Sequence, residues 1–170
     1  MVDPIRVAVL TVSDRCSRGE MADTAGPSLA RLCTERLNAE VIATACVPDE
    51  QDAIAEQLRS WAGECKPDLI LTTGGTGLGP RDITPEATLA VLERRHPGLL
   101  ELARMRCAVK TPRAFLSRGE AGTISRSLVI NLPGSERGAC EYLETLADVL
   151  PHAVEMVRGE PGDHVPPPVS

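Results

Sequence analysis

The stretch Thr72-Thr73-Gly74-Gly75-Thr76-Gly77-Leu78-Gly79-Pro80-Arg81-Asp82-Ile83-Thr84-Pro85-Glu86 limits what this chain can fold into more than any other. A short apolar run, Pro67-Asp68-Leu69-Ile70-Leu71, precedes it and ends on threonines, the pattern of a buried strand over 68–72. Glu86 to Glu93 follows with helical spacing, and a helix is expected over 85–95. Thr84 is its candidate N-cap, and Pro85 suits its first position. The order is therefore strand, glycine-rich loop, helix. In such a loop glycines let a ligand approach the amides closely, and the helix start adds a positive end, so the local physics favours an anion. Arg81 can neutralise a phosphate, and Asp82 can hold a metal that bridges phosphates. The competing reading is a plain turn with Arg81 and Asp82 paired on the surface.

Two common phosphate motifs fail here. Gly74 and Gly79 have the outer spacing of a Walker A loop, but Pro80-Arg81 stands where Lys-Ser/Thr is required. Gly75-x-Gly77 begins a dinucleotide fingerprint, but Pro80 occupies its last glycine position.

The rest of the chain repeats the alternation. Ile5–Val12 is an apolar strand of the kind covered on both faces of a parallel sheet. Ser13 to Glu20 forms a polar loop after it. A helix is expected from Pro27, with Leu29, Leu32, Cys33 and Leu37 on one face. A strand over 40–47 leads to a helix over 51–62 carrying Ile54, Leu58 and Trp61. Beyond the central loop, Pro97-Gly98 breaks the chain, a helix covers 99–109, and 111–122 reads as irregular. A strand over 127–131, Pro133-Gly134-Ser135 and a helix over 136–148 complete the pattern, and Pro151 kinks or restarts that helix. Residues 1–158 are expected to form one α/β domain, a three-layer αβα arrangement with a mostly parallel sheet, and 159–170 a proline-rich tail. Ligands of such folds sit beyond the carboxyl ends of the strands. That rule brings Ser13-Asp14, Pro48-Asp49, the glycine loop and Pro133-Gly134-Ser135 to one edge.

With 170 residues the chain can enclose a full core. It has one Phe, one Tyr and one Trp, so that core must be aliphatic. The net charge of −6 argues against a general nucleic-acid binder, though not against a small anionic ligand. Six cysteines show no Cys-x-x-Cys spacing and three histidines are scattered, so neither a zinc site nor a disulfide framework is indicated. Buried thiols, no signal-peptide pattern and no apolar run of membrane-spanning length lead to the expectation of a cytoplasmic protein with no membrane association.

These segments resemble the molybdopterin adenylyltransferase family, the MogA-like group that includes the G domains of plant and animal molybdenum-cofactor proteins. The resemblance runs from Leu10-Thr11-Val12-Ser13-Asp14 through Val47-Pro48-Asp49-Glu50 and the whole of Gly74 to Thr88. It continues through Pro97-Gly98-Leu99, Leu116-Ser117-Arg118, Ala121-Gly122 and Ile130-Asn131-Leu132-Pro133-Gly134. It implies transfer of AMP from Mg-ATP to the terminal phosphate of molybdopterin with release of pyrophosphate, a homotrimer, and hand-over of the product to a molybdenum-insertion enzyme. It carries two aspartates onto Asp49 and Asp82 as catalytic and Mg²⁺-holding residues. Ser13, Asp14, Thr73, Gly74, Gly75, Thr76, Gly77, Arg81, Ser117, Arg118, Asn131, Pro133 and Gly134 become candidates for binding substrate or nucleotide. The segment Ile124-Ser125-Arg126-Ser127 departs from the family pattern and is assigned no role. The same fold also suits a carrier or scaffold that binds the pterin without chemistry.

Several candidates have a second reading. Asp49 directly precedes a helix and can serve as its N-cap. Ser13 and Asp14 can simply end a strand, Ser117 and Arg118 can sit in a solvated loop, and Asn131 can satisfy local backbone. Cys16 lies in a site loop, but no histidine stands near it in sequence to activate it as a nucleophile.

Overall fold

The structure is a computed structural model and describes residues 3–159. Among these, six strands form one sheet: β1 (Ile5–Val12), β2 (Ala39–Val47), β3 (Leu69–Thr73), β4 (Arg94–Arg95), β5 (Ala121–Ile124) and β6 (Ser127–Leu132), in the order β2-β1-β3-β6-β5-β4. The first four in that order are parallel, and β5 and β4 add an antiparallel margin. The helices are α1 (Asp14–Ser17), α2 (Ala25–Leu37), α3 (Gln51–Ser60), α4 (Thr84–Leu89), α5 (Gly98–Ala108), α6 (Glu136–Leu146) and α7 (Leu150–Arg158).

Alternation along β1 sorts its side chains into two cores. Val7 and Val9 pack with α2, α5, α6 and α7, while Ala8, Leu10 and Val12 pack with α3 and α4. The result is the expected three-layer αβα domain. The chain leaves β1 towards β2 on one side and returns to β3 on the other. The β1/β3 boundary is therefore the switch point at which a crevice opens.

Several expectations are corrected. The helix expected over 85–95 ends at Leu89, and Arg94–Arg95 instead forms an edge strand against β5. Pro97 biases the residues before it towards extended backbone. Gly122 lets the strand come close, since a Cβ there would stand 2.1 Å from the Arg94 carbonyl oxygen. The segment read as irregular contains a 3₁₀ turn at Pro112–Leu116 and then β5. Thr84 is the first helical residue rather than the N-cap, and its hydroxyl donates to the Gly74 carbonyl at 2.9 Å. Asp49 is not an N-cap either: Glu50 holds that position, without a side-chain cap. α2 begins at Ala25, two residues early, where Asp23 Oδ1 accepts the Gly26 amide at 2.9 Å. α3 runs into a π-helical turn, Trp61–Cys65, closed by Lys66 in the left-handed region. Pro151 restarts the chain as α7. Beyond Gly159 the proline-rich tail lies outside the described residues. Among the described residues, no helix is long and apolar enough to cross a membrane.

Candidate active site

The four loops expected at one edge do meet there. Each parallel strand ends at the same level, and short polar contacts tie its outgoing loop to the next. Thr73 Oγ1 donates to the Pro133 carbonyl at 2.7 Å and the Gly74 amide to Leu132 O at 3.3 Å, joining the loops after β3 and β6. The Asp14 amide donates to Asp49 Oδ2 at 2.8 Å and the Asp49 amide to Asp14 Oδ1 at 3.0 Å, a reciprocal pair joining the loops after β1 and β2. Ser13 caps α1, its Oγ accepting the Cys16 amide at 3.2 Å.

The glycine loop passes between these pairs. Gly74 and Gly75 take φ of +105° and +64°, which L side chains rarely adopt. A Cβ on Gly74 would stand 2.1 Å from the Val12 carbonyl, and one on Gly134 would stand 3.1 Å from Gly74 Cα. Among the described residues, the amides of Gly75, Thr76 and Gly77 donate to no protein acceptor. Consecutive positive-φ glycines followed by unused amides form a concavity suited to an anion.

Two clefts flank this loop. One, of about 270 Å³, lies between the loops after β1, β2 and β3 and is lined by Thr11, Ser13, Cys16, Asp23 and Asp49. The other, of about 380 Å³, lies towards α5 and α6 and is lined by Thr76, Gly77, Ser117, Pro133 and Tyr142. Gly75, Asp82 and Gly134 line both. Larger clefts of about 540 and 620 Å³ occur at the β4 edge and at the amino ends of the strands. Size alone favours those, but the glycine loop and the converging carboxylates are at the smaller pair.

Electrostatics at this edge is uneven. Burial raises the Asp49 carboxyl above its ordinary value, and the like charges of Asp14 and Asp82 add to this against the Asp14 amide bond. Asp14 moves the other way, because Arg81 holds it in a forked ion pair at 2.8–3.1 Å. Asp82 Oδ2 accepts the Gly79 amide at 2.8 Å. Among the described residues no three His, Cys, Asp or Glu side chains gather as a metal-binding group. Asp49 and Asp82 are two carboxylates lining the first cleft, and a cation held by them would complete its shell with water or substrate oxygens.

Three sequence candidates turn out differently from their expected roles. Arg81 pairs neither with Asp82 nor with an open site; it spans the edge to Asp14 and to Glu50 at 3.1 Å. Asn131 is fully buried and fully used: Nδ2 donates to Thr72 Oγ1 at 3.0 Å and Thr88 Oγ1 at 2.9 Å, and Oδ1 accepts the Glu120 amide at 3.0 Å. It joins β6 to β3 and α4 through two distant threonine hydroxyls, with one backbone amide, rather than satisfying local backbone alone. Arg118 lines neither cleft and donates to the glycine-loop carbonyls of Gly77 and Asp82. Sequence reasoning missed Asp23, whose Oδ2 accepts the Thr11 hydroxyl at 2.6 Å at the wall of the first cleft. Its place three residues before Gly26 at a helix start was the available signal. It also missed Tyr142, which nothing in a helical stripe distinguishes from core.

Residues 8–152 match the family model described as a probable molybdopterin binding domain. The chain belongs to this family. The match takes in the glycine loop and both aspartates. A curated relative from Helicobacter pylori, molybdopterin adenylyltransferase, is 40% identical over 156 residues, covering 91% of this chain and 89% of its own length. The fly molybdenum cofactor synthesis protein cinnamon, from Drosophila melanogaster, is 43% identical over 157 residues and 92% of this chain, which spans only 26% of that protein. Among solved structures, the molybdopterin biosynthesis enzyme MoaB of Thermus thermophilus superposes with a TM-score of 0.87 at 51% identity, covering 92% of this chain and 98% of its own.

Proposed function

We propose that this protein is a molybdopterin adenylyltransferase acting in molybdenum-cofactor biosynthesis. The observation that carries the reading is Asp82, which lies on the glycine loop, lines both clefts and shares the first with Asp49. A reaction that joins two anionic substrates needs two compartments with a charge-managing junction between them. The family membership and the adenylyltransferase named among the relatives support the same activity.

The nucleophile is the terminal phosphate of molybdopterin. A phosphate monoester has a second pKa of about 6, so it is largely ionised at neutral pH and needs no strong base. Its oxygen attacks the α-phosphorus of ATP, a new P–O bond forms, and the bond from that phosphorus to pyrophosphate breaks. The protein's task is to align two anions and offset their repulsion. The free amides of Gly75, Thr76 and Gly77 bind phosphate oxygens, and the loops after β1 and β6 wall the two compartments. Mg²⁺ fits the residues present. Its preferred donors are oxygens, and the Asp49 carboxyl, raised by burial and beside two like charges, is one whose ionised form a dication would favour. Asp49 and Asp82 would hold it, and when bound it supplies neutralisation of the phosphates. The protein is further proposed to work as a cytoplasmic homotrimer and to pass its product to a molybdenum-insertion enzyme.

The test mixes purified protein with molybdopterin and Mg-ATP, and follows pyrophosphate together with the mass of the adenylylated pterin. Release is expected to require both substrates. Asp82→Asn is expected to keep the far-UV spectrum and lose about 10²–10³-fold in turnover. Pterin binding with no product in the wild type would make the protein a carrier, and near-normal turnover in Asp82→Asn would remove Asp82 from the chemistry.

A further inference from the structure

Arg118 stands just before β5 and next to Ser117, which lines the second cleft, but it lines neither cleft itself. Its amide donates to Thr76 O at 2.8 Å, which fixes where its side chain starts. Its guanidinium then reaches three separate places. Nε donates to the Gly77 carbonyl at 2.8 Å, Nη2 to the Asp82 carbonyl at 2.6 Å, and Nη1 to Glu86 Oε1 at 2.5 Å. These are the middle of the loop, a residue near its end, and the first turn of α4. Neither Arg118 nor Glu86 lines either cleft.

Between those anchor points the loop is internally closed. The Asp82 amide donates to Gly79 O at 3.0 Å, while Asp82 Oδ2 accepts the Gly79 amide at 2.8 Å. The 79–82 turn therefore keeps its own shape without help. What its internal bonds do not fix is where it stands relative to Asp49. That is set by bonds leaving the turn: Arg81 to Asp14 and Glu50 on one side, Arg118 on the other. Arg81 is the more exposed of the two cations, at 58% against 36%. Arg118 is also the one that holds loop backbone, at the Gly77 and Asp82 carbonyls.

We propose that Arg118, held by Glu86, is a positioning residue that fastens residues 77 and 82 to one guanidinium and so sets the place of the Asp82 carboxylate against Asp49. The proposal rests on the adenylyltransferase reading for its kinetic test, and its structural test is independent of that reading. Only a planar fork can serve carbonyls and a carboxylate in three fixed directions, and a lysine ammonium on a flexible stem cannot. A misplacement of about 1 Å at a reacting centre can cost about 10²-fold in rate.

Arg118→Ala is expected to fold, to lose about 10²-fold in kcat, and to leave KM for molybdopterin and ATP unchanged, the split expected of lost alignment rather than lost binding. Arg118→Lys recovers little, and added guanidinium ion restores part of the Arg118→Ala rate. Glu86→Gln, which touches no cleft, moves kcat the same way by less. On an Asp82→Asn background Arg118→Ala costs nothing further, because the two act as one unit. Hydrogen exchange of the amides of residues 77–79, 81 and 82, measured without substrate, rises in Arg118→Ala and in Glu86→Gln.

A raised KM for molybdopterin with kcat intact would make Arg118 a substrate contact and overturn the proposal. So would unchanged exchange at 77–82, or full additivity with Asp82→Asn. If the wild type forms no adenylylated product, the activity reading falls while the exchange experiment still decides the clamp.

Discussion

At the carboxyl ends of β1, β2, β3 and β6 the chain gathers the carboxylates of Asp14, Asp49 and Asp82, two positive-φ glycines and a row of unused amides. At the amino ends of the same strands it gathers Asp68, Arg6 and Arg158. There Asp68 Oδ2 accepts the Arg6 amide at 2.8 Å and Arg158 Nη2 at 2.6 Å, and Oδ1 accepts Arg158 Nε at 2.9 Å. Burial alone would raise the Asp68 carboxyl, but the Arg158 pair and the Arg6 amide overcome it and hold it below its ordinary value. Asp49 at the other end is raised. One sheet thus presents a carboxylate whose charge the fold welcomes and one whose charge the fold resists. The first ties down the chain, and the second is the one whose charge the proposed cation would offset.

The comparison breaks most readily at the glycines. Gly74→Ala is expected to cost about 3 kcal/mol or more, since the new Cβ adds to a positive φ an overlap with a backbone carbonyl that cannot move away. The melting temperature should fall by roughly 6–12 °C, read by circular dichroism. A variant that melts like the wild type would mean that the loop relaxes freely and that the crevice is not built on close backbone approach.

Next in size is the lower end. Asp68→Ala removes a carboxylate only 14% exposed that pairs with Arg158 at 2.6 Å, at an expected cost of about 2–3 kcal/mol. The pH dependence has a definite sign. Because the folded Asp68 titrates below its unfolded value, its contribution is complete above the unfolded pKa and is lost as pH falls through the folded one. The stability gap between wild type and variant should therefore narrow in acid. A gap that is constant with pH would show that packing, not charge, is what Asp68 supplies.

Asp49 should behave oppositely. Its folded pKa lies above its unfolded one, so ionisation costs stability fully above the folded pKa, and the cost fades as pH falls through it. Asp49→Asn is expected to be at least as stable as wild type at pH 7 and to lose that advantage in acid, while turnover is lost. In the wild type the acid limb of turnover should sit above the ordinary aspartate value of about 3.9. An acid limb at or below that value would mean that substrate or metal binding has already cancelled the strain on Asp49.

How much of this was legible in the sequence follows from the same contrast. The four loops and both aspartates could be placed, because apolar strand runs, glycine spacing and the rule of carboxyl-end crevices are local or topological signals. The roles of Arg81, Arg118 and Asn131 could not. Whether a cation faces a ligand or a carbonyl is decided by partners 31–67 residues away along the chain, and pattern reading does not see those. The short edge pair β4 and β5 was hidden for a similar reason. Arg94-Arg95 has no strand character of its own and is made a strand by the approach of Gly122. Asp68 was read only as the start of a strand, since its partner Arg158 lies 90 residues on.

The smallest effect sharpens the comparison at its plainest point. Gly63 sits in the π-helical turn that leads to the lower end of β3, with no positive φ and nothing within 4 Å of a built Cβ. Nothing about its backbone requires glycine, so the residue contributes only unfolded-chain entropy. Gly63→Ala should stabilise the protein by about 0.4–1 kcal/mol, raising the melting temperature by roughly 1–3 °C. The sign is the informative part. A glycine at the upper edge is expected to resist the same substitution that a glycine at the lower edge accepts, and both variants can be melted side by side. If Gly63→Ala destabilises instead, the π turn depends on backbone freedom that its torsions do not display, and the lower end is less settled than its ion pair implies.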